Sequence, residues 1–413
     1  MIKTYRLSGS NRKKILSHID SINNVNIKVP ESVIRIINDV RKNGDKAVKK
    51  YTQKFDRVAV RRIKVSPSDI RKAKSKTDKK VMIAVKRAAA NIRRFHLLQR
   101  KSIKDYIFRG KGYSVSQQYM PVESAGLYIP GGQAPLFSTV LMAGIPAVTA
   151  GVKDIAVVSP PSFGGDINPY IIAAADMIGI KNIYRAGGAQ AVAALAYGTK
   201  TIPAVDKIAG PGNIYSTMAK KYLYGRVGID CINGPSEITI IADSSASPAF
   251  IACDLMAQAE HTRGHALLLT DSEKLAGKVK KILKNKAKIS VTVIIAPLGE
   301  CVELANYKAP EHLQVVSRKE KQILKKIKNA PAVFAGKYSA VAFGDYVAGS
   351  NHILPTNGTA RYASALSVID FLKHSHTVRC SKKGVKALGK TAELLSRTET
   401  LENHAASIKA RRI

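Results

Sequence analysis

The chain has 413 residues, 45% of them hydrophobic and 23% charged, which is typical of a soluble globular protein with two or three domains. Its formal net charge is +38. The sequence contains no apolar run long enough to cross a membrane, no apolar leader and only four scattered cysteines, so we expect a cytoplasmic protein with reduced thiols.

The basic excess is confined to the two ends of the chain. Residues 1–100 carry 28 Lys and Arg against 7 Asp and Glu, and residues 261–413 carry 27 against 11, whereas residues 121–260 carry 8 against 10. Such a field attracts polyanions non-specifically. No zinc finger or RNA-binding signature accompanies it, which argues against nucleic-acid binding as the main role.

The first third of the chain has a helical pattern. Residues 1–25 are polar and predict a short helical arm, and residues 31–98 repeat apolar positions at helical spacing with Lys and Arg on the outer faces. Residues 114–119 have the character of a strand.

From Pro121 onward, short apolar strands alternate with helices. Strands are predicted at 126–130, 155–158, 182–184 and 207–208, each followed by a helical segment, and the pattern resumes beyond residue 238. This alternation predicts an α/β fold with doubly wound parallel sheets. The last forty residues are polar and predict a helical tail.

Two Gly-rich turns, at 187–190 and 210–213, directly follow predicted strands and precede helices. This arrangement points backbone N–H groups at an anion or a dinucleotide phosphate. Neither turn matches the GxGxxG pattern, and tight packing of a strand against a helix also requires glycine. Both interpretations therefore remain open.

Polar side chains on the helix at 254–261 could bind a metal ion. Gln258 and His261 are three residues apart, so both project from the same side of the helix. His261 and His265 form a rival pair with zinc-like spacing, although Gly264 is expected to end the helix between them. Spacing alone does not decide between the two pairs.

Glu311 and His312 follow a proline that should end the preceding helix. They are a candidate proton-transfer pair, or simply a polar surface turn. The cysteines are weaker candidates for aldehyde-oxidising nucleophiles, because none lies in a Gly-rich or electropositive segment.

Taken together, these segments resemble the histidinol dehydrogenase family. The matching motifs occur in family order and with family-like gaps at residues 126–132, 134–140, 187–191, 210–213, 234–237, 254–261, 309–313, 344–345, 351–356 and 364–371. The resemblance implies an α/β fold with two incomplete Rossmann-like, aldehyde-dehydrogenase-like domains and small terminal segments. It assigns residues 1–25 to an N-terminal arm, 26–120 with 237–368 to a first domain, 121–236 to a second domain and 369–413 to a tail.

The resemblance also implies the chemistry. Family members oxidise L-histidinol through L-histidinal to L-histidine with NAD and one Zn²⁺ per subunit, and they form homodimers whose tails reach the active site of the other subunit. Glu311 and His312 would be catalytic. The zinc ligands would be Gln258, His261, Asp345 and His404, which also touch the substrate. Further substrate contacts would be Ser236, His352, Glu399 and His312, and the NAD contacts would be Tyr128, Gln190 and Asn213.

Two other functions remain compatible with parts of the sequence. A related zinc- and NAD-dependent dehydrogenase of another small polar alcohol would alter substrate contacts such as His352 and Glu399, both of which are present. A basic nucleic-acid-binding protein that merely kept the fold would not need Glu311 and His312.

Overall fold

The structure is a computed structural model that describes residues 2–23, 28–132, 135–259, 264–284 and 290–412. The strands are β1 (Ile2–Arg6), β2 (Tyr106–Gly110), β3 (Tyr113–Pro121), β4 (Ser124–Tyr128), β5 (Asp154–Ser159), β6 (Asn182–Arg185), β7 (Lys207–Ala209), β8 (Gly228–Ile229), β9 (Glu237–Ala242), β10 (His265–Thr270), β11 (Val291–Ile295), β12 (His312–Val316), β13 (Ala332–Ala335) and β14 (Leu372–Cys380).

The helices are α1 (Arg12–Asn23), α2 (Glu31–Asn43), α3 (Asp45–Asp56), α4 (Pro67–Ser75), α5 (Lys79–Ser102), α6 (Ser138–Ala150), α7 (Pro169–Met177), α8 (Gly188–Tyr197), α9 (Ile214–Leu223), α10 (Pro248–Ala259), α11 (Glu273–Leu283), α12 (Leu298–Lys308), α13 (Glu320–Leu324), α14 (Val341–Tyr346), α15 (Lys382–Thr398) and α16 (Glu402–Lys409). Within the described ranges, none of them combines the length and apolar character needed to span a bilayer.

A six-stranded parallel sheet forms one half of the molecule, in the order β1-β11-β10-β9-β12-β13. Its central strand β9 is buried along its whole length, as expected for a parallel strand covered on both faces. Alternate residues point to opposite sides: Ile240 packs in a core with α10 and α11, whereas Ile241 packs in a core with α1 and α12.

A five-stranded parallel sheet forms the other half, in the order β6-β5-β4-β7-β8. Helices α6 and α7 cover one face, and α8 and α9 cover the other. The two parallel sheets confirm the predicted α/β fold class.

Helices α2 to α5 pack on the five-stranded half, and the expected grouping of residues 26–120 with 237–368 into one domain stays a prediction. Helix α2 lies against α8, α4 against α7 and α5 against α6. The physical reason is that α8 is apolar on all sides and almost entirely buried, so it needs an outer layer. The amphipathic helix α2 supplies that layer with Val33, Ile36, Ile37 and Val40.

The two ends of the chain also differ from expectation. Residues 2–6 form the edge strand β1, paired with β11, where a purely helical arm was predicted. The tail begins with β14, which joins β2 and β3 in a three-stranded antiparallel sheet before α15 and α16. Both strands are stabilised by distant pairing partners, which a local pattern does not show.

The carboxyl edge of the five-stranded sheet lies close to the amino edge of the six-stranded sheet. Residues 230–236 run directly from β8 into β9, and Asn233 Nδ2 donates to Leu354 O over 3.1 Å. Asn351 Nδ2 donates to Met142 O of α6 over 2.6 Å. The segment after α14 therefore bridges the two halves, and the candidate site lies beside it.

Candidate active site

Glu311 and His312 are buried at the amino end of β12. Only 5% of Glu311 and 3% of His312 is exposed, which excludes the polar surface turn. Helix α12 ends at Lys308 and is capped by Ala309, whose φ of +48° is in the left-handed region, and Pro310 then directs the chain into β12. This sharp exit places both side chains next to Glu237, the first residue of β9.

Hydrogen bonds orient the pair. Glu311 Oε2 accepts from Glu237 N at 2.8 Å and lies 3.4 Å from His312 Nδ1. His312 Nδ1 donates to the carbonyl oxygen of Glu237 at 3.1 Å. A neutral imidazole that donates from Nδ1 carries its lone pair on Nε2. That atom is buried, 3.4 Å from Asp345 Oδ1, and makes no hydrogen bond to the described part of the chain.

Both groups have shifted pKa values. Burial raises the pKa of Glu311, and the nearby charge of His312 offsets part of this rise. For His312, burial favours the neutral ring, but the carboxylates of Glu311 and Asp345 outweigh it and raise the pKa to about 10. Because two anions cause that rise, a cation bound beside Asp345 would lower the pKa of His312 again.

Gln314 connects the elements that carry the expected ligands. Its Nε2 donates to Asp254 Oδ2 of α10 at 2.7 Å and to Ser339 O, just before α14, at 3.1 Å. Strand β12, helix α10 and helix α14 are thus held together, and they carry His312, Gln258 and Asp345. Sequence reasoning missed Gln314, which lies two residues beyond His312 on the same side of the strand.

The four expected metal ligands have different positions. Gln258 is buried in the last turn of α10 and its Oε1 has no hydrogen-bond partner among the described residues, so an oxygen ligand is available there. Asp345 lies near the end of α14, whereas His404 is exposed on α16. His261 lies outside the described residues. Among those that are described, no three His, Cys, Asp or Glu side chains come together in a metal-like group.

The expected substrate contacts are divided between the site and the tail. His352 Nδ1 donates to Asp345 O at 2.9 Å, and its Nε2 lies 3.3 Å from Thr139 Oγ1. Ser236 directly precedes β9. Glu399, at the end of α15, is exposed, and α15 packs on α16 and β14.

The cysteines have the properties of structural thiols. All four are unpaired, and Cys253 and Cys380 are exposed. Burial raises the pKa of Cys301 to about 12 and also raises that of Cys231. Neither buried thiol forms the reactive thiolate near neutral pH.

The residues expected to contact NAD meet at the carboxyl edge of the five-stranded sheet. Tyr128 ends β4, and its hydroxyl accepts from Gly188 N at 3.0 Å. Gln190 is buried in the first turn of α8, and its Oε1 has no partner in the part of the chain that the structure describes. Asn213 caps α9 by accepting from Tyr215 N at 3.0 Å. Strand order reverses between β4 and β7, the usual place for a ligand in such sheets.

A buried ion pair fixes the turn at 210–213. Gly210 N donates to Asp230 Oδ2 at 2.7 Å, and Gly210 O accepts from Lys220 Nζ at 2.9 Å. Lys220 and Asp230 are paired with each other, each with a side chain 2% exposed. Sequence reasoning found the glycines of this turn but not the charges behind it.

We expect Gly210→Ala to lower the free energy of unfolding by about 2–4 kcal/mol and to weaken dinucleotide binding. The φ of Gly210 is +119°, and an added Cβ would collide with the carbonyl oxygen of Tyr128. Urea denaturation and the KM for NAD measure the two effects. Gly277→Ala is the control, because nothing lies within 4 Å and alanine favours helix α11. Equal free energies of unfolding for the two variants would contradict the predicted clash at Gly210.

Comparison with known proteins identifies the family. The sequence profile of histidinol dehydrogenase matches residues 21–412. The chain belongs to the histidinol dehydrogenase family. It is 41% identical to the histidinol dehydrogenase of Methanococcus maripaludis over 98% of this chain and 99% of that one. It is 44% identical to that of Lactiplantibacillus plantarum over 93% of each.

Solved structures agree with the family and the fold. The crystal structure of histidinol dehydrogenase from Elizabethkingia anophelis superposes with a TM-score of 0.91 at 36% identity, covering 99% of this chain and 97% of that one. A putative aldehyde dehydrogenase from Burkholderia cenocepacia gives a TM-score of 0.51 at 12% identity, which shows a shared fold alone.

Proposed function

We propose that this chain oxidises L-histidinol through L-histidinal to L-histidine in two NAD-dependent steps, the last stage of histidine biosynthesis. The observation that carries the proposal is the buried pair of Glu311 and His312. The Nε2 atom of His312 faces Asp345 between the two sheets. Membership of the histidinol dehydrogenase family supports the substrate and the reaction.

Zn²⁺ is proposed to bind Gln258, His261, Asp345 and His404, one ion per subunit. The unpaired Gln258 Oε1 and the Asp345 carboxylate fit such a donor set, since zinc accepts oxygen and nitrogen ligands in a tetrahedral arrangement. A bound zinc ion would hold the imidazole and amine of histidinol in one orientation. Ser236, His352 and Glu399 are proposed as further substrate contacts.

NAD is proposed to bind Tyr128, Gln190 and Asn213 at the carboxyl edge of the five-stranded sheet. The free Oε1 of Gln190 and the amino ends of α8 and α9 provide a polar cradle there. A bound NAD would accept a hydride in each oxidation.

The two catalytic residues are proposed to divide the proton transfers. Once a cation beside Asp345 lowers the pKa of His312, the neutral ring that donates from Nδ1 would carry its lone pair on Nε2 and take the proton of the substrate hydroxyl in the first step. Glu311 then acts as base for the water that hydrates the aldehyde, and His312 takes the proton of the second step. Burial of both groups excludes bulk water, which strengthens these interactions.

The assembly and surroundings are also proposals. We place the enzyme in the cytoplasm as a homodimer whose active site includes the partner subunit's tail. Nucleic acid is proposed to bind only non-specifically, through the basic ends of the chain.

Removal of the metal is expected to abolish turnover. Purified protein should form two NADH per L-histidinol; a chelator should stop this, and added Zn²⁺ should restore it. Gln258→Ala should bind zinc at least about tenfold more weakly, measured by competition with a chromogenic chelator. Full turnover after complete chelation would contradict the zinc proposal, and NADH formation only with another alcohol would favour a related dehydrogenase.

A further inference from the structure

Glu237 makes hydrogen bonds with both candidate catalytic residues. Its N–H donates to Glu311 Oε2 at 2.8 Å, and its carbonyl oxygen accepts from His312 Nδ1 at 3.1 Å. In return, Glu237 Oε1 accepts from the Glu311 N–H at 3.3 Å. Residues 237 and 311 therefore exchange main-chain and side-chain bonds in both directions, which fixes the start of β12 against the start of β9.

The remaining bonds of Glu237 complete its shell. Oε1 also accepts from Asn357 N at 3.1 Å, and Oε2 pairs with Lys308 Nζ. Glu237 is 2% exposed and Lys308 is 1% exposed. Lys308 Nζ also donates to Asn23 Oδ1 at 2.5 Å, and Asn23 Nδ2 donates to Lys308 O at 3.1 Å.

A buried ion pair of this kind contributes little to net stability, because desolvating both charges costs about as much as their attraction provides. An apolar pair of equal volume would fill the same space. What the charges add is direction, since only a carboxylate at residue 237 can accept from the amides of Glu311 and Asn357 while it is neutralised by Lys308.

We infer that Glu237 and Lys308 are positioning residues that hold the carboxylate of Glu311 and the imidazole of His312 in register for the two oxidations. The inference rests on the proposed function. Both side chains act through the Glu311–His312 pair, and an error of about 1 Å in such a pair costs roughly a hundredfold in rate. Their loss therefore lowers kcat, while binding of histidinol and NAD stays nearly unchanged.

Three variants test whether the charge and the side-chain length of the Glu237–Lys308 ion pair matter. Glu237→Gln keeps an oxygen acceptor but leaves the buried charge of Lys308 without an anionic partner. We expect kcat to fall about 10- to 100-fold with both KM values within about twofold. Glu237→Asp keeps the charge but shortens the side chain, and should also lower kcat. Glu237→Gln combined with Lys308→Met removes the uncompensated charge and should restore the denaturation midpoint, but it does not restore the ion pair, so kcat should stay low.

The second oxidation provides a readout that a purely structural role would not change. Because Glu311 is the proposed base for hydration, its displacement should lower the NADH yield per histidinol from two towards one as histidinal accumulates. Val279→Ala, on the buried face of α11, is the matched control for lost stability. It should lower the denaturation midpoint but leave kcat and the NADH yield unchanged.

The outcomes distinguish a failure of this inference from a failure of the proposed function on which it rests. If the wild type is active and the folded Glu237→Gln and Glu237→Asp variants have the same kcat and NADH yield as the wild type, the positioning role is overturned but the proposed function stands. Recovery of the wild-type kcat in the double variant would mean that the loss in Glu237→Gln comes from the uncompensated Lys308 charge, and it would overturn the positioning role of the ion pair. Absence of turnover by the folded, zinc-loaded wild-type chain overturns the proposed function and this inference with it.

Discussion

His312→Ala is expected to lower kcat for histidinol oxidation by about 10²- to 10⁴-fold, with little change in zinc content. The imidazole is the buried group whose Nε2 faces Asp345 without a hydrogen bond to the described chain, so its removal leaves no base for the substrate hydroxyl proton. Steady-state NADH formation and zinc analysis on the same preparation measure the two quantities.

His374→Ala is the matched control, because His374 is exposed on β14. We expect it to behave as wild type. Glu311→Gln should act mainly on the second oxidation, so that added L-histidinal is converted more slowly than L-histidinol. A His312→Ala variant with undiminished kcat would exclude His312 as the proton acceptor.

Local patterns were sufficient for the fold class but not for the packing of the first hundred residues. The alternation of buried strands and helices beyond Pro121 correctly indicated parallel sheets. The apolar face of α2, by contrast, fits any apolar surface. Its location against α8 follows from α8 having no polar face, a property of both helices together.

The same distinction applies to the candidate site. The motif around Glu311 and His312 pointed to the pair, because adjacent titratable residues after a proline form a local signal. Lys308 gave no such signal, since its partner Glu237 is 71 residues away. A Lys is usually exposed, so burial of this one could be known only from the fold.

The two halves of the molecule divide the chemistry. The proposed dinucleotide site lies at the carboxyl edge of one sheet, beside the amino ends of α8 and α9, and Glu311 and His312 lie at the amino edge of the other. His352 lies between them, bonded to Asp345 O and close to Thr139 of α6. Under the proposed function, this arrangement would let a substrate lie between the proposed proton acceptor and the proposed hydride acceptor.

The tail is the remaining part of the proposed site. If the tail acts in the partner's site, two inactive variants should restore activity when they form a heterodimer. Glu399, which follows α15, and His404 on α16 are both exposed; the two helices pack on each other, and α15 packs on β14. If the partner subunit's tail completes each site, His312→Ala and His404→Ala homodimers should both be inactive. A heterodimer of the two keeps one intact site, built from an unchanged His312 and an unchanged His404.

Coexpression with two different tags and tandem affinity purification would isolate that heterodimer. We expect about half of the wild-type kcat per dimer, because a symmetric dimer has two equivalent sites and one survives. If the heterodimer of His312→Ala and His404→Ala is as inactive as either homodimer, His404 belongs to the site of its own subunit. Each of the two sites would then lack one of the two histidines. A heterodimer of His312→Ala with wild type controls for purification and should also retain about half.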